Sequence, residues 1–288
     1  MNFFKKLFGG SEPVADEKPK DGGKDFDVLK YDGVRALRMG QAEYAAKCFD
    51  HALGLRDDLE CRDYLSQALL QLGDLAGAYS QLALMSASRP DNAAILLRMA
   101  DIAYMLEDYP AMLDVCRKAL EIDDANPVAC FLHARASRGE GDNATAIAML
   151  DKALGMNAEF DAARLLRGQV YLAQEMYDEA AADVQTLLQR VGSNEDVLLL
   201  KARLDEAMNN LGEALEDYAK VIEQNPFCIE AFRGRGLIRR RLGDEEGAAD
   251  DLRTADDLDS DTQASAEHVE QKVKEVYKNI DPYGVFSN

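Results

Sequence analysis

A small residue recurs every 34 positions through most of this chain. Ala214, Tyr218 and Val221 are spaced four and three residues apart, which places them on one face of a helix that Asn225-Pro226 ends. Intervals of 34 residues from Ala214 reach Ala78, Met112, Ala146, Ala180 and Ala248. This period indicates repeated units that cannot each bury a core alone and therefore stack on their neighbours.

Seven units fit the sequence when Ala214 is set at position 20 of the unit. Only the first unit is one residue short. Position 8 is small in every unit, as close packing of two helix backbones requires (Gly33, Ser66, Ala100, Ala134, Gly168, Ala202 and Gly236). The units cover residues 26–58, 59–92, 93–126, 127–160, 161–194, 195–228 and 229–262.

Position 15 marks the middle of each unit, and most of its residues tolerate a left-handed backbone: Gly40, Gly73, Gly141, Asn209 and Gly243. Glu107 and Glu175 depart from this pattern. Each unit is therefore predicted to be a helix, a tight turn and a second helix.

The unit resembles the tetratricopeptide repeat. Small residues at positions 8 and 20, Gly or Asn at 15, and large apolar residues at 24 carry the resemblance over residues 26–262. Trp is absent at position 4, and position 7, usually apolar in the family, is charged in four units, so the local helix packing there is in question (Asp32, Arg167, Lys201 and Arg235). The resemblance implies an all-α fold, a right-handed α-solenoid of about seven helix-turn-helix repeats.

The two ends of the chain differ from the repeats. Residues 1–25 form a predicted amphipathic tip and flexible linker, in which Phe3, Phe4, Leu7 and Phe8 adjoin two lysines. The tip is suited to a membrane surface, to a partner's groove or to docking on its own domain. Residues 263–280 are predicted to form an amphipathic capping helix for the solenoid, followed by a tail over 281–288.

Composition excludes several classes of function. The chain has 33 basic and 53 acidic residues and a net charge of −20, which opposes nucleic-acid binding. Its five cysteines form no C-x-x-C pair, so we expect reduced thiols in a cytoplasmic protein and no zinc site. Lys5 and Lys6 interrupt the apolar start, so no signal peptide is expected, and no apolar run is long enough for a membrane span.

No catalytic constellation is apparent. His51, His133 and His268 occupy unrelated repeat positions, so we expect neither an enzyme nor a metal or cofactor site. Acidic runs such as Asp250-Asp251 are interpreted as solvated charge on outer faces or at helix starts.

Charge divides unequally between the two helices of each unit. Positions 1–14 carry 16 basic and 12 acidic residues, whereas positions 15–34 carry 9 basic and 32 acidic. In the family, first helices line a concave groove, so the resemblance implies a neutral-to-basic groove for a protein or peptide of acidic or carboxylate character. The candidate groove residues are aromatic and arginine side chains, which commonly anchor peptides: Tyr31, Tyr64, Arg98, Tyr104, Phe131, Arg135, Arg138, Arg203, Arg233 and Arg240.

The resemblance also permits one specific comparison. Some family members hold the carboxylate terminus of heat-shock chaperones with five polar residues, and only Lys30 and Arg98 match that set here. The sequence therefore predicts a non-enzymatic scaffold or adaptor that is not this type of co-chaperone. Two alternatives are a self-associating assembly factor that uses its end repeats, and a peripheral membrane adaptor that uses residues 1–10.

Overall fold

The protein is all-α in the part that the computed structural model describes, residues 22–260. The tip at residues 1–10, the linker up to residue 21, the predicted capping helix and the tail lie outside the described residues. Fourteen helices and no strand occur between residues 22 and 260: α1 Gly22–Arg38, α2 Ala42–Leu55, α3 Leu59–Gln71, α4 Leu75–Ser88, α5 Ala93–Met105, α6 Tyr109–Ile122, α7 Pro127–Gly139, α8 Asn143–Met156, α9 Asp161–Ala173, α10 Tyr177–Val191, α11 Glu195–Ala207, α12 Leu211–Gln224, α13 Ile229–Arg241, and α14 over 245–260.

The helices pair in the order of the repeats. From the second repeat onward, the first helix of each pair begins at the first residue of the unit, from Leu59 to Ile229. In the first repeat, α1 begins at Gly22, so residues 22–25 of the predicted linker are helical instead. The chain divides into two compact units, Met1–Asp124 and Ala125–Asn288. In each unit, the helices of one repeat pack together and then contact the next repeat.

Aspartates at position 16 start several of the second helices. The carboxylates of Asp74, Asp108, Asp142 and Asp244 each accept a hydrogen bond from a backbone N–H three residues later, at 2.8 to 3.0 Å. This contact satisfies one of the backbone donors left free at a helix N-terminus. Part of the acidity of the second helices is therefore used in helix capping.

The turn within each repeat has the same backbone conformation in all seven repeats. Gly40, Gly73, Gly141, Asn209 and Gly243 have φ between 63° and 87°. Glu107 and Glu175 have φ of 56° and 58°, although their Cβ atoms make this left-handed region unfavourable. The packing of the two helices thus imposes the turn even where the local sequence opposes it.

Replacing Glu175 by glycine is expected to stabilise the protein. A left-handed residue with a Cβ costs roughly 1–2 kcal/mol, part of which the greater flexibility of glycine in the unfolded chain offsets. The free energy of unfolding in urea should therefore rise by about 0.5–1 kcal/mol. The same change at Glu216, exposed in the middle of α12, should lower it by a similar amount. Destabilisation by Glu175→Gly would contradict this account.

Positions 3, 6 and 10 of each first helix form a stripe, here called the seam stripe. Where another repeat precedes it in the same compact unit, the stripe packs on that repeat. Cys61 and Ala68 join the buried cluster of the first repeat. Leu200 and Leu204 pack on α10 of the fifth repeat, and Ile238 joins the cluster of the sixth. The seam stripe is therefore the surface through which repeats stack within each compact unit.

Candidate functional site

A cavity of about 390 Å³ lies on the first helices of the first two repeats. Tyr31 and Tyr64, both predicted groove residues, line it together with Val34. Arg38, exposed at the end of α1, also lines it and has no carboxylate partner among the described residues. Its lining residues all come from first helices: Asp27, Lys30, Tyr31, Val34, Arg38, Glu60 and Tyr64.

Other contacts fix two of these side chains. The ring of Tyr64 stacks on Phe49 with centroids 5.6 Å apart, and its hydroxyl donates to Glu60 at 3.3 Å. Lys30 donates to Asp58 at 3.0 Å and to Glu60 at 2.6 Å. Burial works against its charge, but these two hydrogen bonds raise the pKa of Lys30 overall. Because both neighbours are carboxylates, the ammonium of Lys30 is already neutralised.

The third repeat uses its predicted residues for contacts inside the protein. Arg98 donates to the carboxylate of Asp63 and to the hydroxyl of Ser66, the latter at 2.9 Å, so it lies on the seam with the second repeat. A second cavity, of about 320 Å³, lies beside it and includes Arg89. Tyr104 packs on Tyr109 with ring centroids 6.3 Å apart.

In the second compact unit, α7 carries three of the predicted residues. Phe131 packs on Phe160 with ring centroids 5.1 Å apart, and the guanidinium of Arg135 lies 5.6 Å from the centre of the Phe131 ring. Arg138 is exposed and donates to the neutral side chain of Gln169 at 2.7 Å. The charge of Arg138 is therefore not compensated by this contact.

The three predicted arginines near the end of the second unit differ in their surroundings. Arg203 forms an ion pair with Glu230 at 2.5 Å, and Arg233 with Asp259 at 2.7 Å. Arg240 is exposed, and no acidic residue within the described part of the chain pairs with it.

Five of the six predicted arginines separate into two groups. Arg98, Arg203 and Arg233 pair with neighbouring carboxylates, whereas Arg138 and Arg240 pair with no carboxylate among the described residues. Sequence reasoning missed Arg38, although its position 13 belongs to the groove-facing positions of the family. Net charge cannot separate these groups, since a paired and an open arginine contribute equally to it.

Sequence reasoning also missed a recurring buried ion pair. Arg167, Lys201 and Arg235 at position 7 each bond to an aspartate 16 residues later, at position 23. The arginine pairs are bidentate, with N–O distances of 2.6 and 2.9 Å to Asp183 and of 2.7 and 2.9 Å to Asp251. Asp183, Asp217 and Asp251 are 2%, 3% and 4% exposed, so these carboxylates are buried between the two helices of a repeat.

These pairs correct two expectations from the sequence. Charge at position 7 leaves the helix packing intact in the last three repeats, because the carboxylate at position 23 satisfies it. The fourth charged residue at this position, Asp32, pairs with Arg35 of its own helix instead. Asp251 is not solvated charge on an outer face, since it accepts hydrogen bonds from both Arg235 and Arg239. Hydrogen bonding to Asp183 raises the pKa of Arg167 against the effect of burial. In the third repeat the same two positions hold Met99 and Val115, both buried.

The buried Met99 and Val115 of the third repeat suggest an apolar replacement for the ion pair of Lys201 and Asp217 in the sixth repeat. Lys201→Met alone should lower the free energy of unfolding by up to about 3 kcal/mol, because it leaves the buried carboxylate of Asp217 with only the half-exposed Lys220 as a partner. The double variant Lys201→Met with Asp217→Val should recover most of that loss in urea unfolding. As a control, Lys118→Met, which breaks an exposed pair with Asp114, should cost at most about 1 kcal/mol. Additive losses in the double variant would exclude a mutually compensating pair.

Two further features of the site region concern ions and membranes. Among residues 22–260, no group of three or more His, Cys, Asp or Glu side chains is placed to hold a metal ion. No helix in the same range combines the length and the apolar character that a membrane crossing requires.

Comparison with known proteins agrees with this architecture. Two family models, each described as tetratricopeptide repeat, match the chain, one over residues 137–204 and the other over 65–127 and 199–262. Together they cover well over half of the sequence. No curated protein is significantly similar to the chain.

Several solved structures have a similar fold. A tetratricopeptide repeat protein from Parabacteroides merdae is 18% identical, with 82% of this chain and 94% of that chain covered and a TM-score of 0.72. The type IV pilus biogenesis factor PilW is 19% identical, with 67% and 90% covered and a TM-score of 0.61. Pseudomonas aeruginosa PilF is 19% identical, with 74% and 97% covered and a TM-score of 0.57.

The paired helices, the seven left-handed turns and the family matches define a repeat protein of the α-solenoid class. The chain belongs to the tetratricopeptide repeat family. Stacked repeats of this kind present extended concave surfaces for binding, which makes the chain a protein-interaction scaffold.

Proposed function

We propose that this protein is a non-enzymatic adaptor whose first helices bind a peptide or helix of a partner protein. The observation that carries the proposal is the cavity of about 390 Å³ formed by α1 and α3. Tyr31 is 79% exposed there, beside the apolar side chain of Val34. A cavity of this size accommodates one or two side chains of a bound segment, as in recognition of peptides by an apolar pocket with a few polar groups.

The open arginines favour an acidic segment. Arg38 lies at the edge of the cavity, and Arg138 and Arg240 are exposed on first helices of the second compact unit. Among the described residues none of the three pairs with a carboxylate, and Arg138 donates only to the neutral Gln169, so each guanidinium is suited to contact a carboxylate of a bound segment. Most of the acidic residues of the repeats lie at positions 15–34, which include the second helices. Their negative charge repels an acidic partner from the surface that the second helices form.

Reversal of the open charges tests this specificity. Peptides selected from a random library on the full chain should be enriched in Asp and Glu, and their affinity should fall as salt is raised. The double variant Arg138→Glu with Arg240→Glu, and separately Arg38→Glu, should weaken binding about tenfold or more in fluorescence anisotropy.

Matched reversals on second helices provide the control. Arg117 and Arg253 are 63% and 71% exposed, and Arg117→Glu with Arg253→Glu should leave peptide affinity within about twofold. Equal losses in both sets of variants would indicate a general charge effect and reject the assignment to first helices. Enrichment of basic peptides would reject the acidic partner.

A further inference from the structure

The first helix of the chain carries a seam stripe that nothing covers within the described residues. Its positions 3, 6 and 10 are Val28, Tyr31 and Arg35. Val28 is 58% and Tyr31 79% exposed, and the side chain of Arg35 is 73% exposed. α1 packs on α2 and, to a smaller extent, on α3, which leaves the stripe open on the other side.

Other repeats follow a repeat of the same compact unit. In each of these, the side chains at positions 3 and 10 of the seam stripe are apolar or small, and they are buried. Cys61 and Ala68 are 0% exposed in the second repeat, and Ala231 and Ile238 are 0% exposed in the seventh. At position 6 of the sixth repeat, Leu200 is 2% exposed because it lies over Gly168 of the repeat before it. At this face, α1 therefore exposes the positions through which other first helices pack on a preceding repeat.

We propose that residues 1–10 of the same chain pack on the seam stripe of α1 through Phe3, Phe4, Leu7 and Phe8. This segment is joined to α1 at Gly22 by residues 11–21, and eleven residues can span up to roughly 35 Å. Val28 lies only about 9 Å along the helix from Gly22, at 1.5 Å per residue. The short connection holds the segment near the stripe at an effective concentration on the order of millimolar.

The chemistry of the two surfaces is complementary. Four large apolar side chains among residues 3–8 match the exposed apolar surface of Val28 and Tyr31. Lys5 and Lys6 carry the opposite charge to Asp25 and Asp27, which are exposed at the start of α1. A segment of two helical turns is unstable alone in water, so its apolar residues need a surface on which to fold.

The absence of tryptophan from the chain allows a direct test. In the full-length variant Phe8→Trp, the single indole should emit at a shorter wavelength in the folded protein than in the urea-unfolded protein. Adding Val28→Glu should move the emission to the wavelength of the unfolded chain without changing the circular dichroism spectrum. Val191→Glu is the matched control, because Val191 is 41% exposed on α10, and it should leave the emission unchanged.

Four results would overturn the proposal. An indole that is as solvent-exposed in the folded as in the unfolded protein shows that the segment does not dock. An emission shift that survives Val28→Glu places the segment on another surface. A shift that disappears on dilution together with a fall in mass by light scattering assigns the stripe to a second copy. A shift that appears only with vesicles of phosphatidylcholine and phosphatidylglycerol assigns the segment to a membrane surface. Because Tyr31 also lines the cavity of the proposed function, a docked segment and a bound peptide would compete for its ring. Val28 does not line that cavity, and the emission is measured without peptide, so these results test docking separately from peptide binding.

Discussion

Close approach of helices within and between repeats is the constraint on which this fold depends. Ala214 and its equivalents at position 20 are fully buried, and a Cβ added to Gly168 at position 8 would lie 2.9 Å from Leu200 of the next repeat. Gly234 is closer still, since an added Cβ would lie 2.3 Å from the ring of Tyr218. Small residues at these positions let the large residues of neighbouring helices fill the space.

Within this packing, the protein uses two different solutions for the same pair of positions. The third repeat fills positions 7 and 23 with Met99 and Val115, whereas the last three repeats place a cation and a buried aspartate there. A bidentate arginine satisfies both carboxylate oxygens, which makes burial of Asp183 and Asp251 tolerable. In the third repeat, apolar residues pack the same two positions without a buried charge.

The same distinction between paired and open charge defines the candidate binding surface. Arg203 and Arg98 connect successive repeats through Glu230 and Asp63, so they stabilise the stack. In the first compact unit, Arg38 has no carboxylate partner among the described residues and lines the same cavity as Tyr31. In the second unit, Arg138 and Arg240 also pair with no carboxylate among the described residues. In the proposed function, the apolar cavity anchors a side chain and the unpaired charges favour an acidic partner.

The sequence by itself determined the number of repeats, the residue at which the first helix begins in six of the seven repeats and the position of the turns, because these depend on spacing along the chain and on local backbone preference. It did not predict that Glu107 and Glu175 would adopt the left-handed turn, since the helices on either side impose it. The positions of the candidate groove residues in the repeat come from the sequence, and their role in binding stays a prediction. Only the tertiary structure decided which arginines stay open, because Arg98 meets Asp63 and Arg203 meets Glu230 across a seam between repeats, about one repeat apart in sequence.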